Sequence, residues 1–227
     1  MRHPLKAMLR PLRAALVVAA VAAAGPSPAS AQVAFGLNVG PSLTNLSGSL
    51  IESSELTAGI YVGATLWWQF SERWAVETGI NSVQMGAFSV ENADVEGAWD
   101  VKTSFLQVPA RFLYLIPFAN DKWVFAPFLG ASYSFNGSCK IREAGSPIFD
   151  DECTEDTAFG PASSTDFQYS IGLLLDRVFG SSAFGFDIRY GRGTKDVLLG
   201  PGSEGLTSKN TVLDIKFRIV FPHFGDS

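Results

Sequence analysis

From Leu213 to Phe221 every odd position holds a large apolar side chain, while Asp214, Lys216 and Arg218 fill three of the four even positions between. Successive side chains of a strand point to opposite faces, so this segment predicts a strand with one apolar and one ionic face. The same alternation recurs in runs of about ten residues, broken by turn chemistry, with no helical periodicity. Val33 to Val39 sets Val33, Phe35, Leu37 and Val39 against Ala34, Gly36 and Asn38, and Leu56 to Phe70 sets Ile60, Val62, Leu66 and Trp68 against Gly59, Tyr61, Gly63 and Trp67. Ser71-Glu72-Arg73 predicts a tight turn into Trp74, Val76, Thr78 and Ile80, opposed by Ala75, Glu77 and Gly79.

Beyond Ile80 the pattern loses phase. Ser82 and Gln84 take the apolar register while Val83 and Met85 take the other, which a bulge or an extension above the apolar zone would produce. A polar loop is expected from about Glu91, then a run from Leu106 to Ile116 with Gln107, Pro109 and Arg111 on its other face. Pro109 lacks a ladder donor, so a bulge is expected there. Pro117 to Lys122 predicts a short turn, followed by runs over Trp123–Phe135, Phe167–Leu175 and Phe184–Tyr190. Together with Leu213–Phe221 these are eight runs, joined by alternately long and short connections. That order fits an up-and-down barrel better than a Greek-key sandwich.

The solvent of the apolar face follows from what opposes it. A soluble barrel holds its apolar residues inside. Here the opposing face is small, polar or ionic, as a crowded interior requires, so lipid is assigned to the apolar side. Aromatics gather at run ends: Trp68, Phe70 and Trp74 at one short turn, Phe118 and Trp123 at another, Phe179 and Phe184 at a third, and Phe221 last. This reads as an interfacial girdle, against the alternative of ordinary sheet packing.

Composition adds the compartment. Arg2, Lys6, Arg10 and Arg13 precede an apolar stretch, Ala14 to Ala24, and Ala29-Ser30-Ala31 fits a small-x-small cleavage site. Residues 1–31 are therefore expected to be a secretory signal peptide and residues 32–227 the barrel domain. The apolar stretch is short of the roughly 20 residues that span a bilayer as a helix. The leader holds four of the 17 basic and none of the 22 acidic residues, leaving a formal mature charge of about −9. That balance argues against nucleic acid as a partner.

Cys139 and Cys153 are the only cysteines. In an exported chain they are expected to form a disulfide across the loop Asn136–Ser164; metal binding is the alternative, with no histidine nearby. Apart from His3 in the leader, the one histidine is His223, so a histidine-dependent acyl hydrolase in the strands is not expected. Glu77, Arg111, Asp176, Asp187, Arg189, Asp214, Lys216 and Arg218 fall on the inward face. They are expected to form an ion-pair network that fills the lumen, against the alternative of an ion or proton pathway. Glu143, Asp150, Asp151, Glu152, Glu155 and Asp156 are read as a solvated acidic loop, since they lack the spacing of an EF-hand calcium site.

Phe35-Gly36-Leu37-Asn38-Val39-Gly40, Thr57-Ala58-Gly59, Phe105-Leu106-Gln107-Val108-Pro109, Ala126-Pro127-Phe128-Leu129-Gly130 and Asp166-Phe167 occur in an order and spacing that resembles the PorT-type outer-membrane β-barrel proteins. The resemblance spans the mature chain and implies an eight-stranded barrel in a bacterial outer membrane, with no shared catalytic residues to carry over. The tail Pro222–Ser227 departs from the aromatic ending common in such barrels. The expected fold is all-β: an eight-stranded antiparallel up-and-down transmembrane barrel, monomeric, with no cofactor and no catalytic activity. Its partners would be outer-membrane lipid and a protein or surface ligand at the outer loops. A narrow pore or transporter of small hydrophobic molecules, and a soluble periplasmic lipocalin-like binder, are the alternatives.

Overall fold

The computed structural model describes residues 32–49, 51–92, 95–144, 146, 151–153, 163–196 and 208–221. The expected leader, the acidic positions Asp150, Glu155 and Asp156, and the tail with His223 lie outside the described residues. Eleven strand segments follow in order: β1 (Gln32–Ser47), β2 (Ile51–Glu55), β3 (Thr57–Gln69), β4 (Trp74–Asn92), β5 (Val95–Tyr114), β6 (Ile116–Phe118), β7 (Trp123–Glu143), β8 (Asp151–Glu152), β9 (Thr165–Phe179), β10 (Ser182–Gly193) and β11 (Lys209–Phe221). β2 and β3 both pair with β4, and β5 and β6 both pair with β7, so each couple is one stave with a break at Leu56 or Leu115. β8 is a two-residue addition to β7, leaving eight staves. All neighbours run antiparallel, and β1 pairs with β11 from Phe35↔Phe221 to Ser47↔Lys209, which closes the barrel without an open edge.

The alternation in sequence becomes inside and outside. Leu129 is 65% exposed, Ile80 59%, Phe186 57% and Ile171 56%, and residues of this kind cover every stave. A water-soluble monomer rarely exposes so continuous an apolar surface, whereas a lipid-facing belt must. At the short-turn end the aromatics form contacts across strands. Trp74 stacks on Phe112 at 4.8 Å and lies 4.7 Å from Tyr114, and Phe179 meets Phe184 edge-on at 5.9 Å. Arg177 caps this layer, its guanidinium 4.6 Å from the Phe179 ring and 5.4 Å from Trp123.

Of the two readings offered for the phase loss after Ile80, the extension holds: pairing of β3 with β4 is unbroken from Gln69↔Ala75 to Tyr61↔Val83, and Val83 and Met85 point inward on a continuation of the same strand. Two other sequence expectations change. The polar loop expected from Glu91 is mostly strand, since β4 reaches Asn92 and β5 begins at Val95. No bulge sits at Pro109, which pairs with Ser132 in regular register. Instead the β4–β5 ladder has no partners between Thr78↔Ala110 and Asn81↔Gln107, and the Thr78 hydroxyl donates to the Pro109 carbonyl at 2.8 Å. A side chain thus satisfies a carbonyl that the gap would leave unpaired in lipid.

Register shifts occur in the upper β2–β4 and β4–β5 ladders, and the one that reverses the faces of β7 is at Gly137. Ser104 pairs with Ser138 but Phe105 with Asn136, leaving one extra residue on β7. Below it odd residues such as Tyr133 and Phe135 face out; above it Cys139 and Ile141 face in. The long strands therefore continue past the apolar belt as a second, differently packed section. There the interior is Leu46, Val83, Met85, Val101, Phe105 and Ile141, while Ser82, Lys102, Ser138 and Lys140 face outward. Above the belt the barrel has the inside-out polarity of a soluble protein.

Candidate functional site

The lumen is built in three storeys. Its floor, near the short turns, is apolar: Ala75, Leu113, Leu115, Ala126, Phe128 and Leu174, with Trp67 and Val124 against them. Its roof is the apolar cluster of the extended section, which includes Tyr61, Cys139 and Val212 and packs against Trp99 and Cys153. Between them lies the ionic storey, placed there by strand register.

Three ion pairs join residues that are directly opposite on neighbouring strands. Glu77 faces Arg111 across β4 and β5, with Nη1 donating to Oε1 at 3.0 Å. Asp187 faces Lys216, Nζ to Oδ2 3.1 Å, and Asp214 faces Arg189, whose Nε donates to Oδ2 at 2.6 Å, both across β10 and β11. Two more pairs span the lumen. Arg218 Nη1 reaches Glu77 Oε2 at 3.0 Å, and Arg111 Nη1 also donates to Asp187 Oδ2. Arg218 Nε lies 3.5 Å from Asp176 Oδ1 on β9. Four carboxylates, Glu77, Asp176, Asp187 and Asp214, thereby meet four cations, Arg111, Arg189, Lys216 and Arg218, all buried. The storey carries no formal net charge when every group is ionised.

Aromatic faces complete the coordination of the cations. Lys216 Nζ sits 4.4 Å from the Tyr61 ring, Arg189 5.6 Å from the same ring, Arg111 4.8 Å from Phe128 and Arg218 5.1 Å from Trp67. A polar file rises from here toward the long-loop end. Arg189 Nη2 donates to Gln107 Oε1 at 3.4 Å, Gln107 Nε2 to Gln168 Oε1 at 3.1 Å, and Gln168 Nε2 to Asp166 Oδ2 at 3.2 Å. The backbone N–H of Lys195 caps Asp166 at 3.3 Å.

Every inward ionisable residue proposed from the sequence lies in this storey. Sequence reasoning missed Tyr61, Trp67 and Phe128, which stood as bulky exceptions on a small and polar face. It also missed the glutamines Gln107 and Gln168. The signal was present: an aromatic or amide one phase away from the lipid face, level with an arginine on a neighbouring strand.

At the roof, Cys139 and Cys153 are joined as a disulfide, with Cα atoms 5.5 Å apart. Cys139 belongs to the roof, and the backbone N–H of Cys153 donates to the Cys139 carbonyl at 3.3 Å beside the Lys140↔Glu152 pair of β7 and β8. The crosslink ties the loop to the barrel wall at the point where the wall becomes apolar inside. At the opposite end a cavity of about 200 Å³ opens below the floor, lined by Val33, Trp67, Leu115, Asp176, Arg218 and Val220 among others. The Arg218–Asp176 pair is therefore part of its lining.

Residues 14–196 match the family model described as outer membrane protein beta-barrel domain. No curated protein matches the chain. Among solved structures, the chain is similar to Ail, the attachment invasion locus protein of Yersinia pestis, in complex with the heparin analogue sucrose octasulfate, at 14% identity over 82% of this chain and 99% of that one, TM-score 0.42. Neisserial surface protein A aligns at 13% identity over 82% and 96%, TM-score 0.43. The outer membrane protein OprG from Pseudomonas aeruginosa aligns at 16% identity over 86% and 95%, TM-score 0.41.

Proposed function

Since the chain belongs to the outer membrane protein beta-barrel domain family and resides in the bacterial outer membrane, we propose that it is a closed, non-catalytic barrel acting through its long-loop end. The carrying observation is the three-storey lumen. A neutral ionic layer is held between two apolar clusters, so a solute would have to break buried pairs to pass. Its role is then structural or interactive, with membrane lipid around the belt and a protein or surface ligand at the crosslinked loop. The same reading takes the chain as a monomer exported through a leader ending at Ala31. The narrower PorT-type assignment rests on the sequence motifs, Leu106-x-Val108-Pro109 among them.

A soluble periplasmic binder does not fit a family that resides in the outer membrane. Planar-bilayer recording separates the remaining alternative: purified barrel is expected to show no large stable conductance, and a persistent open channel would overturn the closed-barrel reading. Proteolysis of intact cells is expected to cut the loop between Cys139 and Cys153 from outside. Cleavage only after the outer membrane is breached would reverse the orientation.

A further inference from the structure

Just above the lipid-facing belt, the outer wall of β5 and β7 carries a like-charge pair. Lys102 lies directly across from Lys140, and both are exposed. The next outward pair below is Ser104 opposite Ser138, and below that Leu106 and Phe135, exposed 48% and 46%, begin the apolar surface. The β4 neighbour of Lys102 is Gly86. A Cβ there would run into the Val101 carbonyl, so the wall beside the two lysines stays notched.

Like charges directly opposite on adjacent strands are destabilising. The acidic excess of the chain rules out general basicity as the origin of this pair. Glu152 faces Lys140 on its other side, yet among the described residues no ion pair joins either lysine. Height identifies what does. Lys102 lies four positions above Leu106, which at about 3.3 Å per residue and a tilt of about 40° is roughly 10 Å above the last apolar position. Headgroup phosphates occupy that zone, and lysine stems bend toward it. Two ammoniums and two hydroxyls around a notch give charge and hydrogen-bond donors suited to a phosphate.

We propose that Lys102, Lys140, Ser104 and Ser138 bind a phosphate group of an outer-leaflet glycolipid. The proposal rests on the outward orientation of the long loops, which cell-surface proteolysis tests independently. Wild type, Lys102→Gln/Lys140→Gln and Lys122→Gln are refolded into vesicles of phosphatidylcholine alone, with lipopolysaccharide, or with the same lipopolysaccharide after phosphatase treatment. Bound glycolipid is counted by native mass spectrometry, and stability is read as the urea midpoint. Wild type and Lys122→Gln, altered at the short-turn end, are expected to hold phosphorylated lipopolysaccharide at least tenfold more tightly than the double variant. In phosphatidylcholine alone the order of stability inverts, because the double variant has lost the repulsion. Equal binding by the double variant, equal binding of dephosphorylated lipid, or full reproduction of the stabilisation by inorganic phosphate would each overturn the assignment. Heat-modifiable gel migration verifies that the variant is folded.

Discussion

Glu77→Gln is the sharpest test of the ionic storey. The carboxylate is fully buried and accepts one charge-assisted hydrogen bond from Arg111 and one from Arg218, each at 3.0 Å. Hydrogen bonds to charged groups contribute about 1.5–3 kcal/mol apiece, and removing one partner of a buried ion pair costs roughly 3–5 kcal/mol. Glutamine keeps the volume and can still accept one of the two bonds. Arg111 also retains Asp187, and Arg218 retains Asp176 at 3.5 Å. The loss is therefore expected at the lower end, about 3 kcal/mol, because the storey is left with one uncompensated positive charge. With a urea m-value of about 1–3 kcal/mol/M, the unfolding midpoint falls by about 1–3 M. The assay is equilibrium unfolding from lipid vesicles followed by tryptophan fluorescence, to which Trp67 beside Arg218 contributes a local signal. Adding Arg218→Gln restores neutrality, so the double variant is expected to be less destabilised than the sum of the singles, with a coupling of about 1–3 kcal/mol. Additive losses, or a midpoint for Glu77→Gln within about 0.3 M of wild type by the same conversion, would refute the claim that these charges act as one network.

Two further outcomes probe the wall and the loop. Reduction of Cys139–Cys153, or Cys153→Ser, is expected to cost about 3 kcal/mol, the chain-entropy value for a loop of about 15 residues, with faster proteolysis of the loop and the lower wall intact; unchanged stability and cleavage would show that the crosslink constrains nothing. Gly40→Ala places a Cβ against the Ile215 backbone, whereas at Gly137 the nearest atom is the Ser104 carbonyl at 3.5 Å. Heat-modifiable migration after refolding is expected to fail for Gly40→Ala and persist for Gly137→Ala, and equal yields would sink the close-approach argument.

The belt was legible because lipid imposes one rule on every stave. Phe35, Leu37 and Val39, or Phe184, Phe186 and Ile188, repeat with a period of two, and the charges between them could only face inward. The extended section was only half legible, as a loss of phase after Ile80 that a bulge or an extension would produce alike. A strand leaving lipid for water keeps its geometry while the two faces exchange what they need, so Val83 and Met85 look like a slipped register though the backbone has not moved. Pattern gives the period of a strand but not which solvent each face meets. Pro109 misled because the missing donor suggested a bulge, whereas the ladder keeps its register across a short gap and the Pro109 carbonyl is satisfied by a threonine 31 residues away. The bulge at Gly137 sat inside a stretch whose polar composition reads as loop. The charged residues could be named one by one, yet their partners depend on which strands close the barrel, and only local pairs such as Glu77 with Arg111 follow from hairpin register.

The distribution of those charges along the chain bears on how the barrel enters its membrane. The amino-terminal hairpins contribute Glu77 and Arg111, which neutralise each other across β4 and β5. The carboxy-terminal strands contribute Asp176, Asp187 and Asp214 with Arg189, Lys216 and Arg218, again an equal number of each sign. Each half can therefore meet a nonpolar phase as an electrically balanced sheet, before the other half is beside it. The ion pairs from Arg218 to Glu77 and from Arg111 to Asp187, with the hydrogen bonds of Gln107 to Arg189 and Gln168, wait for the halves to curl together, so closure adds them in one step.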